Sequence, residues 1–260
     1  MDLNLENKNA LVCGSTAGIG KATAIALANE GATITLVARN REKLKEVLAE
    51  LPNSKNHSYI VADFSNPRDL QEQVIKFIEK EHGFHILVNN TGGPRSGNIL
   101  NASLVEFDNA FTQHLKCNHV LAQTVIPFMK ETGFGRIINV ISTSVKEPIP
   151  GLGVSNTIRG AVGNWSKTLS VELGPFGITV NNVLPGFTET ERLTEIISIK
   201  AEKEDTSIEK MTEIMKNYSP AKRFAKPEET ANAIVFLASE AAGYINGINL
   251  PVDGGRTKSL

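Results

Sequence analysis

Apolar residues along the chain switch repeatedly between two spacings, and the switches divide it into alternating segments. Short, nearly continuous apolar runs lie at 9–13, 33–37, 58–62, 85–89, 136–141, 178–183 and 247–250. Between them, in 18–30, 41–51, 67–82, 105–131, 155–173 and 227–239, apolar residues recur three and four positions apart, as on one face of a helix. Strands separated by helical crossovers predict a parallel, doubly wound α/β sheet with helices on both faces. One stretch breaks the rhythm. The segment 188–218, rich in Glu, Lys, Ile and Thr, follows the sixth strand and is read as one or two helices lying over the site as a lid.

No linker rich in Pro, Gly or Ser, internal repeat or low-complexity tract interrupts the 260 residues, so 1–260 is expected to be a single domain. A composition 41% hydrophobic and 21% charged is ordinary for a globular protein. The net charge of −1 gives no electrostatic reason to expect a nucleic acid or a membrane surface as partner. The first residues lack the basic region of a secretory signal and no apolar stretch reaches membrane-spanning length, so a cytoplasmic protein is expected. Cys13 and Cys117 form no recognisable framework and are read as buried, inert thiols; no metal centre is expected.

Candidate chemistry begins at Cys13-Gly14-Ser15-Thr16-Ala17-Gly18-Ile19-Gly20, between the first strand and the first helix. Glycines there let the backbone turn tightly and approach a pyrophosphate, which sits on the positive end of the helix. A tight strand-to-helix turn without a ligand gives the same residues, so the motif gains weight only from its company. Arg39 stands at the end of the second strand, where an NAD-binding site places an acid on the ribose 2′-hydroxyl; an arginine suits a 2′-phosphate and points to NADP(H), unless Arg39 and Arg41 merely open a solvated helix face. Asp63, after the third strand, either contacts the adenine amino group or caps the following helix.

Several motifs recur in a fixed order: Gly14-xxx-Gly18-Ile19-Gly20, Asp63, Asn89-Asn90-Thr91-Gly92, Ser142, Pro185-Gly186-Phe187-Thr188-Glu189-Thr190 and Val252-Asp253-Gly254-Gly255. In these the whole chain resembles the short-chain dehydrogenase/reductase superfamily, in its 3-oxoacyl-carrier-protein-reductase-like form. The resemblance implies a Rossmann-type, seven-stranded sheet in the order 3-2-1-4-5-6-7. It implies that Gly14, Ser15, Thr16, Gly18, Ile19 and Gly20 cradle the cofactor with Arg39, Asp63, Asn89 and Gly92, and that Pro185, Gly186, Thr188 and Thr190 embrace the nicotinamide carboxamide. A homotetramer or homodimer, built on the long helices beginning near Val105 and Ser155, is implied as well.

Departures from the family pattern carry as much information. Members commonly use Asn, Ser, Tyr and Lys: the serine orients a carbonyl, the tyrosine protonates it, the lysine lowers the tyrosine pKa and grips the nicotinamide ribose, and the asparagine holds a relay water. Ser142 matches the serine, but Ser155 and Arg159 stand where the tyrosine and lysine belong, and His114 where the asparagine belongs. The pattern is similar to a tyrosine-less branch, that of the bacilysin-pathway conjugate reductase, through 135–139, 146–148, Asn181, 185–187, 253–255 and Lys258-Ser259. A serine hydroxyl is too short and too weakly acidic to replace a phenol, and Arg159 stays protonated and cannot relay protons, though it can still bind the cofactor by donating to ribose hydroxyls and keeping a positive charge near the nicotinamide. His114 and Lys146 are substitute acids, against a packed core histidine and a surface lysine. Arg95 suits a substrate carboxylate or is a solvated loop residue.

Three functions follow. The first is an NADPH-dependent reductase of a small, anionic carbonyl or conjugated substrate, using Ser142 with Arg159, His114 or Lys146. The second is an NADP-binding pseudoenzyme acting as a regulatory or scaffolding subunit, and the third a 3-oxoacyl-thioester reductase with a substitute acid.

Overall fold

The computed structural model describes residues 2–259. Among them the strands are β1 (Asn9–Cys13), β2 (Thr33–Ala38), β3 (Ser58–Val61), β4 (Ile86–Asn89), β5 (Gly135–Val140), β6 (Ile178–Pro185) and β7 (Asn249–Val252). They form one sheet in the order β3-β2-β1-β4-β5-β6-β7, with every neighbouring pair parallel. The helices are α1 (Gly18–Asn29), α2 (Arg41–Glu50), α3 (Pro67–Lys80), α4 (Leu104–Ala110), α5 (Cys117–Thr132), α6 (Gly153–Leu173), α7 (Glu191–Lys203), α8 (Ile208–Lys216) and α9 (Pro227–Ala238).

Strand residues alternate between two cores. Ala10, Val12, Ile34, Leu36, Ile86, Val88, Ile138 and Val140 pack with Leu27 of α1, Leu44 and Val47 of α2 and Ile234 and Leu237 of α9. Leu11, Cys13, Val37, Leu87, Ile137 and Val180 point the other way, onto Leu70 and Val74 of α3 and Leu121, Val125 and Met129 of α5. Burial on both sides explains the near-continuous apolar runs, since neither face of the sheet meets water.

Two elements differ from the reading of the sequence. The helix expected over 105–131 is interrupted: α4 and α5 are joined by a π-helical turn, Phe111–Lys116, which carries His114. Such a turn winds one residue more than the α-helix and shifts the side chains after it, while leaving the apolar spacing intact enough to read as continuous. The helix expected from Ser155 begins at Gly153, which places Ser155 in the first turn.

The segment 188–218 forms α7 and α8, as one or two helices were expected. Their apolar faces make a small core of their own, with Leu193, Ile197, Met211 and Met215 around Phe224 and Phe187.

Candidate functional site

The strands deliver their carboxyl ends to one edge, where the chain order reverses between β1 and β4, the usual place for a ligand in such a sheet. Gly14 (φ +58°) and Gly18 (φ +52°) take left-handed conformations that a side chain disfavours. A Cβ on Gly20 would lie 2.2 Å from the Gly14 carbonyl oxygen, so the turn admits only glycine. The Asn90 amide donates to the carbonyls of Cys13 and Gly14 (3.3 and 3.2 Å) and holds the turn from β4. Among the described residues no side chain caps the first N–H groups of α1, as suits an anionic group placed there.

The other cradle positions divide by what their side chains do. Ser15 is buried, and its hydroxyl accepts from Val37 N at 3.1 Å, so it serves the turn through its backbone. Thr16 and Ile19 are half-buried, and Ile19 packs on the α1 side of the sheet. Arg39 is exposed just after β2 and has no acidic partner within salt-bridge distance among the described residues. Asp63 is half-buried and accepts from Ser65 N at 2.9 Å; the cap of α3 is Asn66, which removes the capping alternative for Asp63. Gly92 is exposed, with open space where a Cβ would point.

Asn89 belongs to a buried amide ladder. Its Nδ2 donates to Asn139 Oδ1 (2.8 Å), Asn139 Nδ2 to Asn182 Oδ1 (3.0 Å) and Asn182 Nδ2 to Asn249 Oδ1 (2.8 Å), crossing β4 to β7 between register partners. Asn118 of α5 and Ser166 of α6 join it at Asn139. The ladder stiffens the strands whose ends carry the catalytic candidates.

Arg159 is 7% exposed, and its guanidinium bridges two loops, donating to Val140 O (2.9 Å) and Thr91 O (3.4 Å). Burial lowers its pKa to about 10, so it is a cation at neutral pH, and no carboxylate pairs with it among the described residues. His114 shares a 2.6 Å hydrogen bond with the hydroxyl of the same Thr91. Burial, and secondarily the charge of Arg159, push the His114 pKa down to about 2. His114 is therefore neutral and does not serve as an acid titrating near neutrality; the packed, hydrogen-bonded alternative is the one that fits. Thr91, which joins the two, carried no individual signal in the sequence.

Ser142 ends β5. Its oxygen accepts from Ser144 N at 3.1 Å, which leaves its own proton to donate elsewhere. Ser155 is half-buried one helical turn before Arg159, on the same face of α6. Lys146 is half-buried and makes no ion pair among the described residues. Arg95 is exposed on a loop tied to the start of α6 by Gly97 N to Gly151 O at 2.7 Å.

The loop after β6 closes the edge. Pro185 is the last residue of β6, and Gly186 N donates to Val252 O at 2.9 Å. Thr188 is buried and donates to Gly186 O; the Thr190 side chain caps α7, close enough to Gly18 that a Cβ there would meet it at 2.9 Å. From α7, Arg192 reaches Pro94 O at 3.1 Å and ties the lid to the loop after β4. A cavity of about 570 Å³ lies around Leu5, Lys8 and Glu240, and none of the candidate site residues lines it.

Residues 14–257 match the family profile described as enoyl-(acyl carrier protein) reductase. The chain belongs to the short-chain dehydrogenase/reductase family. It is similar to the NADPH-dependent reductase BacG of Bacillus subtilis (strain 168), 31% identical over 98% of this chain and 100% of that protein. It is likewise similar to the 3-oxoacyl-[acyl-carrier-protein] reductase FabG of Aquifex aeolicus (strain VF5), 32% identical over 98% and 99%. Among solved structures, L-sorbose reductase from Gluconobacter frateurii complexed with NADPH and L-sorbose superposes with a TM-score of 0.93 at 31% identity, covering 100% of each chain. YwfH, an NADPH-dependent reductase involved in bacilysin biosynthesis, superposes with a TM-score of 0.91 at 30% identity, covering 97% of this chain and 99% of that one. Within this short-chain dehydrogenase/reductase, the glycine turn, the uncapped start of α1 and the free Arg39 fit NADP(H).

Proposed function

We propose that the protein is an NADPH-dependent reductase of a small, anionic carbonyl or conjugated substrate, with conjugate reduction of an enone or unsaturated acid the reaction its site suits best. The observation that carries this reading is Arg159, a buried cation fixed by Val140 O and Thr91 O without a carboxylate partner among the described residues. Similarity to reductases described as NADPH-dependent supports the choice of cofactor.

Cofactor binding falls to the backbone of the 14–20 turn, with Arg39 on the 2′-phosphate, Asp63 near the adenine and Pro185, Gly186, Thr188 and Thr190 at the nicotinamide. Bound NADPH supplies the hydride. In conjugate reduction that hydride adds to the β-carbon, the electron pair of the double bond moves toward the carbonyl oxygen, and a proton from water completes the α-carbon. Ser142 donates its free proton to that oxygen as a hydrogen bond, and Arg159 holds positive charge close to where negative charge develops. Neither has to surrender a proton. Carbonyl reduction does need one delivered to the oxygen, and losing the general acid there costs about 10²–10⁴ in rate.

The same reading gives a homotetramer or homodimer, supported by exposed Leu104 and Val105 on α4 and Val171 on α6, and a cytoplasmic location. Light scattering tests the first. The chemistry is tested by titrating NADPH and NADH by fluorescence, then following NADPH oxidation with ketones, enones and 3-oxoacyl thioesters. Tight NADPH binding and turnover of enones above ketones is expected; binding without turnover of any class refutes the reductase reading.

A further inference from the structure

Arg256 lies in the tail after β7, outside every motif of the cofactor site. Its guanidinium donates to Thr143 Oγ1 at 3.1 Å and stacks over the Phe187 ring, 4.7 Å from the centroid. Thr143 directly follows Ser142, and Phe187 directly follows Pro185-Gly186. Arg256 thus spans the ends of β5 and β6 at the edge where the hydride acceptor has to lie.

Three facts make it a cation in want of an anion. First, its two acidic neighbours hold backbone N–H groups, Glu147 through Oε1 alone, and neither comes within salt-bridge distance of the guanidinium among the described residues. Asp253 accepts from Gly255 N (3.0 Å) and Thr257 N (2.8 Å), and Glu147 accepts from Lys258 N (2.6 Å) and Ser259 N (2.7 Å). Second, an arginine carries five N–H donors, and among the described residues a single hydroxyl takes one of them, with no salt bridge. Third, Arg256 lines a cavity of about 200 Å³ with Thr143, Glu147, Ile149 and Thr257. Partial burial lowers the Arg256 pKa, the nearby acids opposing that shift, so desolvation already works against the charge and an incoming anion relieves it.

We propose that Arg256 is the substrate-anion anchor: a carboxylate of the reducible substrate lies in this cavity against the guanidinium, with the rest of the molecule directed toward Ser142. The inference rests on the reductase reading for the identity of the ligand, and moves the anion contact from the exposed Arg95 to the tail. Glu147 acts as the staple that keeps the tail in place, since its carboxylate holds the backbone on the far side of the arginine.

The test compares (E)-4-oxopent-2-enoate with its methyl ester, two enones that differ by one charge, by calorimetry with and without saturating NADP+. Wild type is expected to bind the acid about tenfold or more tightly than the ester, as a charge-assisted pair in a partly desolvated site requires. Arg256→Met is expected to abolish that preference, Arg256→Lys to keep part of it, and Arg95→Met to leave it intact. Equal affinity for acid and ester in wild type, no binding of either at millimolar concentration, or a preference that survives Arg256→Met overturns the proposal. The wild-type comparison stands even if a variant fails to fold. An acid preference without NADPH oxidation refutes the reductase reading alone, and NADPH oxidation without an acid preference refutes the anchor alone.

Discussion

Replacing Asn139 with leucine tests whether the amide ladder carries the sheet. Asn139 is fully buried, and its side chain accepts from Asn89 and Asn118 while donating to Ser166 Oγ and Asn182 Oδ1. Leucine nearly conserves the volume, so the loss is polar. Ser166 and Asn182 keep their mutual bond of 2.7 Å, and Asn182 keeps Asn249. Asn89 keeps nothing: its Nδ2 has Asn139 as its sole partner, and its Oδ1 has none among the described residues. An orphaned buried amide costs about 1–3 kcal/mol and each of the three further lost bonds about 1 kcal/mol, giving a loss of about 4–6 kcal/mol. At about 2 °C per kcal/mol for a chain of this size, the melting temperature falls by about 8–12 °C. Urea unfolding monitored by circular dichroism supplies the free energy, and a thermal scan the shift. NADPH affinity should change by less than about threefold, because Asn90 holds the glycine turn independently. A loss below about 1 kcal/mol refutes the account of the ladder as a set of irreplaceable buried bonds.

Arg39→Ser is expected to raise the Kd for NADPH about tenfold while leaving that for NADH within about twofold, read by fluorescence titration; equal changes for both would remove Arg39 from the 2′-phosphate. His114 stays neutral in the fold down to about pH 2 but gains a proton near its ordinary pKa of 6.5 once unfolded. Its contribution is therefore whole above pH 6.5 and is lost as the pH falls, at about 1.4 kcal/mol per pH unit. His85, lowered by burial to about 4, adds a second proton over the upper part of that range. His114→Asn should remove about one proton from the slope of unfolding free energy between pH 6 and 4, measured by urea titration; an unchanged slope refutes the neutral, buried assignment. Arg192→Ala removes the bond from the lid to Pro94 O and should speed NADPH dissociation by about two- to tenfold in stopped flow, with no change expected if the lid is held by α8 packing alone.

How much of this was legible in the sequence depended on how local each cause is. The parallel, doubly wound sheet follows from alternation and the glycine turn from a run of neighbouring residues, whereas the strand order came only with the resemblance to the family. Ser155 and Arg159 were located by spacing from Ser142 and Pro185. The π-turn was hidden because its extra residue leaves the apolar rhythm of 105–131 almost undisturbed. Arg256 was hidden for a different reason: its meaning comes from Thr143 and Phe187, distant in the chain, and from two acids engaged by backbone N–H groups. The ladder did leave a trace, an asparagine in each of four consecutive apolar strands, which has no place in a buried run unless the amides find one another.

The unusual site residues explain one another through charge. Burial keeps His114 neutral and bonded to Thr91, and an arginine at position 159, buried without a carboxylate partner among the described residues, adds to this by making a second positive charge nearby unfavourable. The same arginine cannot reload a neighbouring hydroxyl with a proton, because guanidinium does not exchange its charge near neutrality. A phenol at position 155 would find no proton relay there, and the serine that stands in its place is far too weakly acidic to need one. What the constellation can do is hold a fixed positive field where electrons accumulate. That favours reactions whose negative charge is delocalised and whose proton goes to carbon from water, and a second fixed cation at Arg256 extends the same logic from the reacting end of the substrate to its carboxylate.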